Sequence, residues 1–262
     1  MSNFHILLKV SNVIVYLWFL SATVYSTVGP NPDGDVIKSH LTYITPAHWI
    51  NLAWTAVHFL LGGFVIYQWF EPAHDGTVHG VGWHFVISTL LNTLWFRLWN
   101  TGHLYLSFIA ILFTASSVSF VFYNLEKHHP ATNWFDRIFI HAPFSIWHGF
   151  VTVIATENLF SAFTTVSKDG PDNLHIILSV IGILFLASTA IGYVEYKHKK
   201  GDVVGALVIS FSLYAIYDQQ TNDYIRYAAL GFAILTTLYP VRPYVFKALG
   251  RNTDPATAPL LG

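Results

Sequence analysis

The chain alternates long apolar runs with short polar segments. Eight of these runs predict membrane helices, because a helix that crosses about 30 Å of hydrocarbon needs about 20 mostly apolar residues. They cover residues 6–26, 49–70, 81–99, 103–123, 135–161, 174–193, 203–217 and 224–246. The seventh is short for a span, and Pro240 and Pro243 should end or kink the eighth near Tyr239. We therefore expect an all-α, polytopic transmembrane bundle of about eight spans.

The distribution of basic residues predicts the orientation of this bundle. With eight spans, both termini share a side with the loops after spans 2, 4 and 6, and nine of the thirteen lysines and arginines fall there. Basic residues are enriched in cytoplasmic loops. We therefore predict a multi-pass integral membrane protein with cytoplasmic termini and an exoplasmic loop at 27–47.

Composition narrows the possible functions. Hydrophobic residues make up 53% of the chain and charged residues only 10%, whereas soluble domains are roughly 25% charged. The lipid bilayer is thus the expected surrounding. A net charge of −1 argues against a nucleic-acid-binding surface, so we expect no nucleic-acid partner. The absence of cysteine excludes disulfides and thiolate metal sites.

Spans 2 and 3 each carry polar side chains on one helix face, although such groups are costly in lipid. The face in span 2 holds Asn51, Thr55, His58 and Gly62, with Trp54 beside them. The face in span 3 holds His84, Ser88, Asn92, Trp95 and Trp99. Each stripe could form interhelical hydrogen bonds, or the faces could converge on one pocket. Both interpretations stay open.

Span 5 contains HAPFSIWHGFVTVIATEN, residues 141–158, and has two dissimilar faces. At about 100° per residue, one face holds His141, Ser145, His148, Thr152 and Thr156. The opposite face holds Pro143, Trp147, Phe150, Ile154 and Glu157. We expect both faces to pack against neighbouring helices. The same two interpretations apply to the polar face of span 5: it could form interhelical hydrogen bonds, or it could converge with the faces of spans 2 and 3 on one pocket. Glu157 is close to the end of the span, where we expect it to reach the membrane interface or to cap the helix.

Fourteen histidines raise the question of metal or haem binding. His141 and His148 are two helical turns apart, too far to share an ordinary metal ion, and no His-Glu-x-x-His motif is present. We therefore predict no metal site. Axial ligation of a haem by histidines from different helices stays open.

Three motifs, in order, resemble those of the TspO/translocator family, the tryptophan-rich sensory proteins. In span 2, TPAHWINLAWTAVHFLLGGFVIYQ matches at Trp49, Trp54, Thr55 and Gly62, with His58 where a tyrosine is usual. In span 3, STLLNTLWFRLW matches at Asn92 and Trp95. In span 5, APFSIWHGFVTVIATEN matches at Pro143, Phe144, Trp147 and Phe150. The resemblance covers roughly residues 5–162, and the spacing between Trp49 and Trp54 suits the longer family members, which carry extra C-terminal helices.

The resemblance implies a five-helix core with a pocket beneath the loop that joins spans 1 and 2. We accordingly expect a TspO-like membrane domain at 1–165, three additional transmembrane helices at 166–248 and a disordered tail at 249–262. Family pockets bind tetrapyrroles and other large hydrophobic ligands, with sterols in some members, and porphyrin transport is among the roles proposed for them. A bound porphyrin or haem is thus the candidate cofactor. A homodimer is a further implication, although the extra helices could cover the face that short members use for it.

Three hypotheses about function follow. The first is a protein that binds, senses or carries a tetrapyrrole- or sterol-like small molecule in an intramembrane pocket, with indole walls and a few orienting polar groups. Its predicted ligand-binding residues are Trp49, Trp54, His58, Asn92, Trp95, Pro143, Trp147 and His148. The second is a membrane-embedded enzyme acting on a lipid, terpenoid or porphyrin. We favour a non-enzymatic protein without catalytic residues, because the sequence indicates no nucleophile–base pair. The third is a structural subunit of a membrane complex.

Overall fold

The computed structural model describes residues 3–28, 40–196 and 202–242. This part of the chain forms eight long helices and contains no β-strand. In chain order they are α1 (Asn3–Val28), α2 (Leu52–Tyr67), α3 (His84–Asn100), α4 (Leu104–His128), α5 (Ala142–Phe163), α6 (Asn173–Tyr196), α7 (Val203–Gln219) and α8 (Asp223–Leu238). They correspond one to one with the eight predicted spans, so the all-α bundle is confirmed.

Five stretches of the described chain are long and apolar enough to cross a membrane. They contain α1, α2, α4, α5 and α6. The seventh helix is apolar but has only 17 residues, in agreement with the short seventh span. The eighth ends at Leu238 and is followed by a 3-10 turn at Tyr239–Val241, because Pro240 cannot donate the next helical hydrogen bond. The predicted end of span 8 at residue 246 and the predicted tail at 249–262 lie outside the described residues.

The two shortest C-terminal helices begin where polar side chains cap them. Asp202 accepts hydrogen bonds from the backbone N–H groups of Val204 and Gly205. Asn222 does the same for Tyr224 and Ile225. Such caps satisfy N–H groups that have no partner within the helix. They fix the starts of α7 and α8 within a residue of the predicted positions.

The fifth predicted span is not one uniform helix. A short turn at Trp134–Asp136 leads into a π-helical segment at Arg137–His141, and α5 proper begins at Ala142. Pro143 lies in the first turn of α5. Proline is tolerated there because the backbone N–H groups of the first helical turn have no acceptor within the helix, so the missing N–H of proline costs no helical hydrogen bond. The helix is thus regular over the part that faces the other spans.

Two apolar clusters organise the bundle. The first joins helices α1 to α5 and contains Phe64, Phe85, Phe144 and Trp147, all fully buried. The second joins α6, α7 and α8 to Tyr43, Ile44 and the α5 residues Val153 and Phe160. Helix α5 therefore contributes to both clusters. Both clusters include residues from each side of residue 165, and the division of the chain there stays a prediction.

The helices α5 and α7 approach each other closely at a pair of glycines. A Cβ atom on Gly149 would lie 2.9 Å from the carbonyl oxygen of Gly205. A Cβ atom on Gly205 would in turn lie 2.5 Å from the ring of Tyr193. Small residues allow membrane helices to pack backbone against backbone. The glycine pair thus brings α7 against the centre of the five-helix unit.

Candidate functional site: an aromatic cavity beneath residues 45–51

A cavity of about 950 Å³ lies between α1, α2, α3 and α5. Residues 45–51, which precede α2, form its cover, here named the cover segment. The remaining walls consist of residues from four helices. They are Tyr16, Leu20, Thr23 and Val24 of α1; Leu52, Trp54, Thr55, His58 and Phe59 of α2; Trp95, Phe96, Trp99 and Asn100 of α3; and Phe150, Val153, Ile154, Glu157 and Asn158 of α5.

Aromatic rings dominate the walls. Trp54 and Phe150 meet edge to face with centroids 5.3 Å apart. Trp95 lies 4.7 Å from Phe96 and 6.2 Å from Trp99 between ring centroids. Trp54, Trp95 and Trp99 are all buried in the bundle. Their rings present rigid apolar surface, while each indole N–H needs a hydrogen-bond acceptor.

The acceptor for Trp95 is a buried asparagine. Its Nε1 donates to Oδ1 of Asn158 at 3.0 Å, and the Ser107 hydroxyl donates to the same oxygen at 3.0 Å. The Asn158 amide donates to the backbone carbonyl of Ile154. This network connects α3, α4 and α5 and fixes the orientation of the Trp95 ring along the cavity.

His58 is held between α1 and α2 and is almost completely buried. Its Nε2 lies 2.8 Å from the Thr23 hydroxyl oxygen. Because that hydroxyl donates its proton to the carbonyl of Phe19, His58 must donate through Nε2. Its Nδ1 is buried without a hydrogen-bond partner. The His58 ring is part of the cavity wall.

Four predicted ligand-binding residues line the cavity. They are Trp49, Trp54, His58 and Trp95. The structure places the other four, Asn92, Pro143, Trp147 and His148, outside its lining. Trp147 is fully buried and donates from Nε1 to Oδ1 of Asn92 at 3.2 Å. Its ring stacks on Phe19 with centroids 5.4 Å apart, so this pair lies behind the aromatic wall. Pro143 is buried in the first turn of α5.

His148 faces away from the cavity, towards α4 and α6. Its Nε2 lies 2.7 Å from the Ser119 hydroxyl, and its Nδ1 pairs with the Tyr193 hydroxyl. The Phe122 ring stacks on the imidazole at 4.8 Å. One turn earlier, Ser145 donates a hydrogen bond to Asp202, the cap of α7. The polar face of span 5 thus forms interhelical hydrogen bonds, the first of the two interpretations that its sequence allowed.

Residues outside the set of predicted ligand-binding residues also line the cavity. Phe150, Ile154 and Glu157 belong to the bulky face of span 5, so periodicity had grouped them correctly. Glu157 lies on the cavity wall, which its sequence position did not indicate, and its expected reach to the membrane interface stays a prediction. The α1 residues Tyr16 and Thr23 carried no motif.

The C-terminal helices hold the cover segment in place. The Trp49 Nε1 donates to Oδ2 of Asp218 at 3.0 Å, and the backbone N–H of Ala47 donates to the carbonyl of Ala215 at 2.8 Å. The side-chain amide of Gln220 donates to the carbonyl oxygens of Thr42 and Thr45 at 3.3 and 2.8 Å. The end of α7 is therefore fastened to the segment that covers the cavity.

Several histidines gather at the opposite end of the bundle. The rings of His5 and His74 are 5.0 Å apart, and His129 pairs with Asp75 at 2.7 Å. Burial, followed by the nearby charges of Lys9 and the other histidines, lowers the pKa of His74 below its ordinary value. Within the described ranges, no group of three or more His, Asp or Glu side chains has the arrangement of a metal site.

Comparison with known proteins gives one match. A family model described as TSPO-like protein matches residues 9–241, which includes every wall of the cavity and all three C-terminal helices. No curated protein matches the chain. No solved structure matches it either.

Proposed function

This chain belongs to the TSPO-like protein family and is an integral membrane protein, and we propose that it binds a hydrophobic small molecule in the cavity beneath the cover segment. The observation that carries the proposal is the cavity itself. Its volume of about 950 Å³ falls within the usual range of small-molecule sites, about 300–1,000 Å³. Its walls combine flat aromatic rings with a few polar groups, as such sites do.

The position of the cavity favours entry from the bilayer. Leu52 and Phe59 line it and are at the same time among the most exposed apolar residues of α2. Trp49, on the cover segment, is also partly exposed. An apolar ligand dissolved in lipid could therefore reach the aromatic walls between α1 and α2 without crossing water.

The size of the cavity and its aromatic walls suit a large, flat molecule, so tetrapyrrole- and sterol-like compounds remain the proposed ligand classes. Binding could serve sensing or carriage, including porphyrin transport. The cytoplasmic termini, the five-plus-three division of the helices and a homodimer are part of the same proposal.

The two alternative functions have less support. A structural subunit would not need a cavity of this size, and its pocket would be filled by side chains. An enzyme would need a reactive group at the cavity. Glu157, Thr23 and His58 line the cavity, but the Thr23 hydroxyl beside His58 donates to the carbonyl of Phe19, so His58 does not activate it. The Ser119–His148 pair also has suitable spacing, but it lies between α4, α5 and α6, outside the lining. We therefore propose a binding protein rather than a catalyst.

The proposal can be tested by tryptophan fluorescence quenching with protoporphyrin on purified protein. Thr55→Phe places a large ring in the cavity, because Thr55 lines it. We expect saturable quenching in the wild type and at least about tenfold weaker affinity in Thr55→Phe, since overpacking excludes the ligand. Ala56→Phe is the matched control, because Ala56 is exposed on the same helix outside the lining.

Ala56→Phe should retain the wild-type affinity. The proposal is contradicted if quenching by protoporphyrin, and by a sterol-like competitor, does not saturate. It is equally contradicted if Thr55→Phe and Ala56→Phe behave alike, because the ligand would then bind elsewhere on the protein or in the detergent.

A further inference from the structure

Glu157 places a carboxyl group on the wall of the cavity between the apolar helices. It belongs to α5, six residues before the end of that helix, and its side chain is only partly exposed. Thr45 of the cover segment lines the same cavity. Ionisable groups are costly in a membrane interior and commonly mark the path or site of a ligand.

In the described part of the chain, no lysine or arginine side chain accompanies this carboxyl group on the cavity lining. Among the lining residues, which all belong to the described part of the chain, there is no lysine and no arginine. The other titratable side chains on the lining are Tyr16, His48 and His58. His58 is directed to Thr23 through its N–H, and His48 lies on the exposed side of the cover segment. Among the described residues of the lining, none supplies a positive charge to Glu157, so a cationic ligand group would complement it.

The rim of the cavity adds a second negative charge. Asp218 of α7 is exposed, and it accepts a hydrogen bond from the Trp49 indole at the cover segment. An anionic ligand would approach two carboxylates and no lysine or arginine on the lining. In a medium of low dielectric constant such like-charge contacts are more unfavourable than in water.

The aromatic walls also favour a cation. The rings of Trp54, Trp95 and Phe150 line the same cavity as Glu157. The face of an aromatic ring carries partial negative charge and attracts an ammonium group within about 6 Å, most strongly where water is excluded. A carboxylate beside several aromatic rings is a suitable environment for a protonated amine.

We propose that the cavity selects hydrophobic ligands that carry a protonated amine, with Glu157 as the counter-ion and the indole rings as the apolar walls. This inference rests on the proposed function, because it requires that the cavity binds a ligand at all. It also narrows the ligand class. A tetrapyrrole or sterol would bind better as an amine-bearing derivative than as a carboxylate.

Three anthracene probes of similar size test this selection. One carries an aminomethyl group, one a hydroxymethyl group and one a carboxylate, and each accepts energy from tryptophan. We expect the amine to bind the wild-type protein at neutral pH at least about tenfold more tightly than the alcohol, because charge-assisted hydrogen bonds are the stronger ones. The carboxylate should bind most weakly.

Glu157→Gln should reduce the affinity for the amine to that for the alcohol, and affinity for the alcohol should remain unchanged. Retained alcohol binding also shows that the variant is folded. Glu71→Gln is the matched control, since it removes one negative charge from an exposed position outside the cavity. It should leave all three affinities unchanged.

The outcomes separate this inference from the proposed function. Equal affinity for amine and alcohol, with both weakened by Thr55→Phe, would overturn the inference and leave the proposed function intact. A preference for the amine that persists in Glu157→Gln would also overturn it. If none of the three probes binds saturably, the proposed function fails and the inference fails with it.

Discussion

The indole N–H of Trp49 donates a 3.0 Å hydrogen bond to the carboxylate of Asp218, which lies 169 residues later in the chain. This bond joins the segment that covers the cavity to the end of α7. Together with the bonds from Gln220 and between Ala47 and Ala215, it gives the C-terminal helices a role at the cavity. They hold the cover in place.

Breaking these contacts should loosen the cover segment. In Asp218→Ala/Gln220→Ala, the side-chain bonds to Trp49, Thr42 and Thr45 are lost. We expect faster hydrogen exchange of the amides in residues 45–51, because each hydrogen bond contributes about 1 kcal/mol to the closed state. Exchange mass spectrometry of the protein in detergent measures this directly.

Gln219→Ala is the control for this pair, because Gln219 is exposed and makes neither of the Gln220 bonds. Exchange in α3 should be unchanged in both variants. Uniform acceleration throughout the bundle would mean that the C-terminal helices support the whole fold and not the cover in particular.

Because α5 and α7 approach each other closely, we expect a single methyl group added at Gly149 to lower the stability of the protein. In Gly149→Ala the new Cβ would meet the Gly205 carbonyl oxygen at 2.9 Å. Overpacking of this kind costs about 1–3 kcal/mol, so the thermal unfolding midpoint should fall. Gly192→Ala is the control, because a Cβ there has open space and alanine favours a helix by about 0.5–1 kcal/mol. An unchanged midpoint in Gly149→Ala would contradict the packing described here.

The Asn158 network predicts unequal effects of two substitutions. Asn158→Leu leaves the Trp95 indole N–H without its acceptor, whereas the Ser107 hydroxyl loses Asn158 but retains the carbonyl oxygen of Leu104 at 2.8 Å. Buried donors left unpaired cost about 1–3 kcal/mol each. Ser107→Ala removes one donor and leaves the other bond intact, so it should be milder. Thermal unfolding of both variants in the same detergent makes the comparison, and equal effects would argue against a shared acceptor.

The position of His148 outside the cavity lining can be tested through its hydrogen-bond partner Tyr193. Tyr193→Phe removes its hydroxyl partner on α6 and should lower stability by about 1 kcal/mol. Affinity for protoporphyrin should stay within about twofold of wild type, since sites without shared contacts act independently. A large loss of affinity with unchanged stability would instead support the sequence-based prediction that His148 contacts the ligand.

The sequence predicted the helices well because their apolar runs are long and their ends carry clear signals. Asp202, Asn222 and Pro240 begin or end helices within a residue or two of the predicted positions. The motif residues Trp54 and Trp95 also lie on the cavity. For these residues, the hydrophobic pattern of each helix was enough to predict burial, because one face of each helix had to be buried.

The sequence could not show which neighbouring helix, or which cavity, each buried helix face contacts. The two faces of span 5 were separated correctly, but only packing decides that Phe150 and Glu157 meet the cavity while His148 meets Tyr193. Trp147 matches a motif and yet lies behind the wall, bonded to Asn92. The contact between Trp49 and Asp218 joins segments too distant in the chain for any local periodicity to indicate it.

The central claim is that a hydrophobic ligand occupies the cavity beneath the cover segment. Photo-crosslinking tests it most directly, with a diazirine derivative of the aminomethyl anthracene probe and peptide mapping by mass spectrometry. We expect labels on residues 45–59, 95–100 and 150–158, which disappear with excess unlabelled probe and in Thr55→Phe. Labels confined to the outer surfaces of α4 and α6, or insensitive to competition, would contradict it.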